Sequence, residues 1–323
     1  MTVAAPTNGD NKTNAATLMR RAAFASLAVS IVLVSIKAYA YFASHSVAML
    51  ASMADSALDL FTSSLNLFAI GAALTPADAE HRFGHGKAEP LAGLAQAAFI
   101  TASALFVGVQ AAQRIASPAP IENGGEALAV MAVSIAFALA LIAYQRRVVK
   151  QTHSLAIHAD TIHYAADLAT NVGVVVALLL SAWLGWQLAD PVIAILVALV
   201  MLVGAWSVGR QSLDQLMDRE LPDEDRARIA RIVLAHPAVK NLHDLKTRAA
   251  GLACFIQVHI ELDPQMRLNE AHAISDAVEK AIQGAYPSAE VIIHQDPAGL
   301  ERPLEQPPVE SIAGIPPGAA RRS

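Results

Sequence analysis

From about Val47 to Leu74 the chain is apolar and long enough to cross a bilayer, yet this stretch carries Asp55 and Asp59. In a helix, an i, i+4 spacing stacks the two carboxylates on one face. Each ionised Asp near a bilayer centre costs about 2.5–3.5 kcal/mol, and the two charges also repel. No Lys or Arg lies between Val47 and Thr75 to offset them. Something from outside the segment must do so, and a divalent cation is the economical candidate. The alternative is a protonated or hydrogen-bonded pair that joins helices.

Five more apolar runs accompany this one: Arg20–Phe42, Glu89–Arg114, Glu126–Tyr144, Leu155–Leu184 and Asp190–Arg210. Hydrophobic residues make up 54% of the chain and charged residues 16%, against about 25% charged in an average soluble domain. Arg20-Arg21 and Ala38-Tyr39-Ala40 would suit a signal peptide, but the run continues past that site and further spans follow. A twin-arginine export signal lacks the rest of its consensus. We expect a six-helix transmembrane domain over residues 17–210, after a disordered tail over 1–16. Trp183, Trp186 and Trp206 lie near span ends, as interfacial aromatics do. Lys12, Arg20, Arg21, Arg82, Lys87, Arg146, Arg147, Lys150 and Arg210 fall on the tail and the even-numbered loops. The opposite side has chiefly Arg114, with Lys37 towards the outer end of the first span. The positive-inside rule then puts both termini and the loops 75–88 and 145–154 on the cytoplasmic side.

The character changes at about residue 211. Leu221-Pro222-Asp223 offers a helix start for Glu224–Ala235, Val239–Ala249 and Leu252–Glu261 alternate as strands, Asn269 caps a helix to Tyr286, and Val291–His294 is a third strand. This αββαβ order over 211–297 predicts a small α+β domain, followed by a disordered Pro-rich tail over 298–323. The net charge of −5 suggests no nucleic-acid role. Cys254 is the only cysteine, which excludes a disulfide framework and thiolate zinc sites. Gly86-Lys87 is no Walker motif, since His81 stands where Gly is required and Ala88 where Ser or Thr is.

Leu155–Leu184 opens with His163 and Asp167, again at i, i+4. If the second and fifth spans face each other, Asp55, Asp59, His163 and Asp167 supply three oxygens and one nitrogen to a tetrahedral site. That donor set suits Zn²⁺, and also Fe²⁺, Mn²⁺ or Cd²⁺, while the lack of thiolate argues against Cu⁺. Asn171, one turn on, either supports the ligands or bonds a neighbouring helix. In the loop between the second and third spans, Asp78, His81 and His85 either form a second site or are scattered on a solvated loop; Gly84 and Gly86 weigh against a helical turn there. In the soluble part, His243, His259, His294 and Asp296 fall on strands or their ends and His272 on a helix, enough for one or two ions. His45, His153 and His236 read as surface residues.

These stretches resemble the cation diffusion facilitator family. The resemblance rests on Ser46-Val47 through Asp55-x-x-x-Asp59, on Pro76-Ala77-Asp78 through His81-x-Phe83-Gly84-His85-Gly86-Lys87-Ala88-Glu89, and on His163-Tyr164-x-x-Asp167. It rests equally on Asp218-Arg219-x-Leu221-Pro222-Asp223, His243-Asp244-Leu245-x-Thr247-Arg248 and Ile292-Ile293-His294-Gln295-Asp296-Pro297, so it covers nearly everything from Arg20 to Asp296. It implies Asp55, Asp59, His163 and Asp167 as a transport site and Asp78, His81 and His85 as a loop site. A binuclear site would use His243, His259, His272, His294 and Asp296. It further implies a homodimer through a ferredoxin-like or metallochaperone-like domain, and a charge pair between Lys87 and Asp218. The Pro-rich tail is extra, and His158 sits where Arg is common.

The function implied is proton-coupled export of Zn²⁺, with Cd²⁺ or Fe²⁺ as further candidates, by alternating access. Metal and protons would compete for the same ligands. Two other classes use the same residues: an intramembrane metalloenzyme and a metal-sensing scaffold. No H-E-x-x-H and no general base beyond the ligands supports the enzyme. No ATP site suggests itself, so the expected drive is an ion gradient.

Overall fold

The computed structural model describes residues 9–44, 47–116, 125–184, 186 and 188–299. The chain divides into two compact units, one spanning Ala16–Leu213 and the other including Asp214–Ser323.

The first unit is helical, made of α2 (Val47–Ala73), α3 (Ala88–Ala116), α4 (Gly125–Thr152), α5 (Leu155–Leu184) and all but the ends of α1 (Gly9–Ser44) and α6 (Ala189–Leu216). Helix is already formed at Gly9, so the stretch 9–16, expected as tail, belongs to α1. No Gly or Pro follows Gly9 until Gly71, and nothing in the sequence stops the helix extending that far back. Residues 1–8 and 300–323, the remainder of the expected tails, lie outside the described residues. Among the described residues, five helices are long and apolar enough to cross a membrane: Thr13–Ala43, Ser52–Ala73, Ala88–Ala116, Ala129–Thr152 and Ala189–Leu216. Helix α5, with 30 residues, is not among them; its first half carries His158, Asp160, His163 and Asp167.

Helix α5 packs against α2, α3 and α4. Small residues allow the close approach that helices need in lipid. Ile100 and Ala104 of α3, Ala166 of α5, and Ala198, Met201 and Ala205 of α6 form one buried cluster. At Gly204 of α6 a Cβ would lie 2.8 Å from Ile162 Cγ2 of α5, so the contact depends on glycine there. Phe24, Phe61, Phe106, Val203 and Trp206 point outwards and are exposed. Water would reject such a surface and lipid accepts it.

The second unit runs α7 (Asp223–Leu234), β1 (Asn241–Ala250), β2 (Ala253–Leu262), α8 (Leu268–Ala285) and β3 (Ala289–Pro297). Asp223, Glu224 and Asp225 fill the first turn of α7, where acidic groups complement the helix dipole. Gly251, at φ 58°, turns β1 into β2, and these strands pair antiparallel. Strand β3 returns across α8 and pairs parallel to β2, giving the sheet order β1-β2-β3. Helix α8 starts one residue earlier than expected. Its N-cap is Arg267, whose backbone N–H donates to the Glu270 carboxylate at 3.4 Å, and Asn269 lies inside the first turn. Strand β3 is longer than Val291–His294 because the ladder to β2 continues from Ala289 to Pro297.

Ile229, Val233, Ile256, Ile260, Val278 and Ile282 anchor the core of this unit, and Cys254 lies in it. Burial, helped by the Asp225 charge, pushes the Cys254 thiol up to about 12. Because thiolate is the reactive form, N-ethylmaleimide at neutral pH is expected to label Cys254 only after denaturation. Rapid labelling of the native protein would contradict this packing.

Candidate metal centres

The helix start of α5 fixes the height of its polar face. Ser154 Oγ accepts the Ile157 N–H at 3.2 Å, and Glu89 of α3 accepts from Ser154 Oγ at 2.5 Å and from the Ala156 N–H at 3.3 Å. Two turns on, His163 meets α2. Its Nε2 lies 3.1 Å from Asp59 Oδ1 and 3.7 Å from Asp167 Oδ2. One donor atom from each of Asp59, His163 and Asp167 lies within 4.8 Å of the other two, and the group is largely buried. Asp55 is not in this group. It sits one turn before Asp59 and is exposed.

A hydrogen-bonded network runs beside these three residues. Asp160 of α5 is fully buried. Its Oδ2 accepts from Ser26 of α1 at 2.5 Å and from Gln145 Nε2 of α4 at 2.5 Å, and its Oδ1 accepts from Gln96 Nε2 of α3 at 3.1 Å. Tyr164 Oη lies 2.7 Å from Ser30 Oγ of α1 and 3.1 Å from Ser63 Oγ of α2. Ser63 is one turn beyond Asp59, and Tyr164 is next to His163. The tyrosine–serine contact is therefore the rung adjacent to the histidine–aspartate contact and holds α2 in register with α5. Sequence reasoning passed over Asp160, although it completes an i, i+3, i+7 face with His163 and Asp167. Lys37, expected towards the outer end of the first span, instead turns inwards, and its Nζ donates to Ser56 Oγ at 2.6 Å.

Asp78, His81 and His85 also converge, without a helix. Asp78 Oδ1 accepts the N–H groups of Glu80 at 2.9 Å and His81 at 2.6 Å, an Asx turn. Gly84, at φ 77°, then folds His85 back, so that His85 Nε2 lies 3.5 Å from Asp78 Oδ2. The two imidazole centroids are 4.4 Å apart. The His81 N–H bond, followed by that from Glu80 and the two nearby rings, holds the Asp78 carboxyl below its ordinary range, so it stays anionic where a metal would need it. Lys87 ends this loop.

In the second unit, strand register makes the site. His243 pairs with His259 across β1–β2, and His259 pairs with His294 across β2–β3, so three imidazoles form one row. Asp296, two residues past His294, shares that face. Its Oδ2 lies 2.9 Å from His259 Nδ1 and 3.4 Å from His243 Nε2, and its Oδ1 lies 3.2 Å from His294 Nε2. The fifth expected residue, His272, stands apart: it is exposed on α8 and faces Asp276 at 3.8 Å. Asp244 and Glu261, not foreseen, lie 3.6 Å from His259 Nε2 and 3.6 Å from His243 Nδ1. The register shift between His243 and Lys246, with Asp244 at φ 48°, turns the Asp244 carboxylate towards the row. Asp218 Oδ1 accepts from Arg248 Nη1 at 3.1 Å.

Both units match the same kind of protein. Residues 23–217 match the family model described as cation efflux transmembrane domain, and residues 221–298 match that described as cation efflux protein, cytoplasmic domain. The chain belongs to the cation diffusion facilitator family and is an integral membrane cation efflux transporter. Among its relatives, the cation-efflux pump FieF of Shewanella oneidensis is 44% identical over 283 residues, which cover 88% of this chain and 95% of that protein. The cation-efflux pump FieF of Klebsiella pneumoniae is 42% identical over 289 residues, 90% of this chain and 96% of that one. A solved structure titled "Mode of Action of a Putative Zinc Transporter CzrB (Zn form)" is 32% identical, covers 27% of this chain and 99% of its own, and has a TM-score of 0.25.

Proposed function

We propose that this transporter exports a divalent cation, Zn²⁺ foremost and Cd²⁺ or Fe²⁺ next, from the cytoplasm in exchange for protons. The observation that carries the reading is the buried meeting of Asp59 with His163 and Asp167 from two different helices. One imidazole with carboxylates is the donor set of zinc-like ions. Each ligand must shed its proton to bind metal, so protons and metal exclude each other. Exposure of the site first to one side and then to the other converts this competition into antiport.

Asp55 would swing in as the fourth ligand once an ion is bound, closing a tetrahedron. The second unit would dimerise the protein, with His243, His259, His294 and Asp296 holding one or two regulatory zinc ions and His272 joining from α8. The loop site of Asp78, His81 and His85 would load from the cytoplasm. Helix α5 would be the sixth crossing, which leaves both termini on the cytoplasmic side of a bacterial inner membrane and lipid around the bundle.

Proteoliposomes with a zinc-sensitive dye inside test the reading. Zinc influx that requires a pH difference is expected. Influx that ignores the pH difference would overturn proton exchange, and binding without flux would favour a sensing scaffold.

For the second unit, the test is Asp296→Ala. Removing a residue that only orients a ligand costs about 10–100-fold in metal affinity, so a carboxylate shared by three histidines should cost at least about a hundredfold. Zinc titration of the full-length variant by calorimetry checks this, and unchanged affinity for every bound ion would refute the shared-ligand assignment.

A further inference from the structure

Lys37 lies within the α1 segment apolar enough to span a membrane, where a free ammonium would be costly. Its side chain turns into the bundle and is buried. Nζ donates to Ser56 Oγ at 2.6 Å. Ser56 is itself fully buried and lies between Asp55 and Asp59 on α2. The Lys37 ammonium is among the charges near Asp55 of α2 and Asp167 of α5. A cation is thus tied by a hydrogen bond to the backbone segment that presents two of the site's aspartates.

We propose that Lys37 is a resident counter-cation of the transport site, one that sets how tightly the cargo ion is held. This rests on the reading of that site given above. Three aspartates with one divalent ion leave one negative charge, and the Lys37 ammonium cancels it, so the four ligands, the ion and Lys37 together carry no net charge when the site changes sides. The same ammonium repels the divalent ion, which keeps release fast. Its anchor on Ser56 fixes the charge beside the ligands and prevents it from replacing one of them.

The experiment compares full-length wild type with Lys37→Met, which keeps length without charge, and Lys37→Arg, which keeps charge. Equilibrium zinc titration at pH 8, where proton competition is weakest, is paired with flux in proteoliposomes. For Lys37→Met we expect about tenfold tighter zinc binding and about tenfold lower maximal flux, because loss of a nearby unit charge strengthens the field on the ion. Lys37→Arg should stay within about threefold of wild type in both. Binding and flux unchanged in Lys37→Met would overturn the proposal, as would equal losses in Lys37→Met and Lys37→Arg, which point to packing. If Lys37→Met does not fold, Lys37→Gln takes its place. Asp59→Ala is run in parallel: if it still transports, the site reading fails; if it stops flux while Lys37→Met behaves as wild type, only the counter-cation fails.

Discussion

Replacing Asp59 with alanine is expected to reduce zinc flux by more than about a hundredfold, the largest loss of any single change in the membrane unit that leaves the fold intact. Asp59 is the only member of the buried group contributed by α2, and it lies 3.1 Å from His163 Nε2. Without it, His163 and Asp167 remain on a single helix turn and cannot enclose an ion. Asp59→Asn keeps the shape and one acceptor oxygen but removes the charge, so it separates electrostatics from packing. Asp55→Ala is the informative companion. Asp55 stands outside the group, so a loss as deep as that of Asp59→Ala would show that α2 turns to deliver both carboxylates in the loaded state. Asp59→Ala protein that folds normally and still carries zinc would remove this site from the mechanism.

The second large effect concerns stability. Asp160→Ala is expected to lower the thermal midpoint of the detergent-solubilised protein by about 10 °C or more, or to prevent its accumulation. The alanine would leave the Gln96 and Gln145 amides without this acceptor and Ser26 with only a 3.5 Å contact to Ser63 Oγ, on three helices other than its own. Each orphaned buried donor costs about 1–3 kcal/mol, and no water in the bilayer core replaces the lost partner. Asp160→Asn, which keeps an acceptor but brings two hydrogens, should fall between. The readout is thermal unfolding followed by size exclusion. A midpoint for Asp160→Ala within about 2 °C of wild type would show that the hub contributes little.

How much of this was visible beforehand depended on distance along the chain. Asp55/Asp59 and His163/Asp167 announce themselves because a helix places i and i+4 together, and the αββαβ order follows from alternation and turn residues. The loop cluster was legible as residues but not as geometry, since an Asx turn and a left-handed glycine bring it together rather than a helical turn. Lys37 was assigned to a span end by counting positive charges. Its long stem lets the ammonium turn inwards, and only the position of Ser56 on another helix reveals that it does. Asp160 was hidden for a similar reason, because its three partners lie 15, 64 and 134 residues away along the chain, on three other helices. Asp244 escaped notice because a bulge, not strand alternation, sets its direction.

If the row His243–His259–His294 holds a metal as proposed, that metal becomes a judge of strand alignment. A parallel β3 delivered by a crossover helix could settle one residue out of step, and such a slip would turn His294 and Asp296 to the opposite face of the sheet. A misaligned domain could not grip the ion. Zinc would then favour only the correct alignment, acting as a proofreader of folding as well as a ligand.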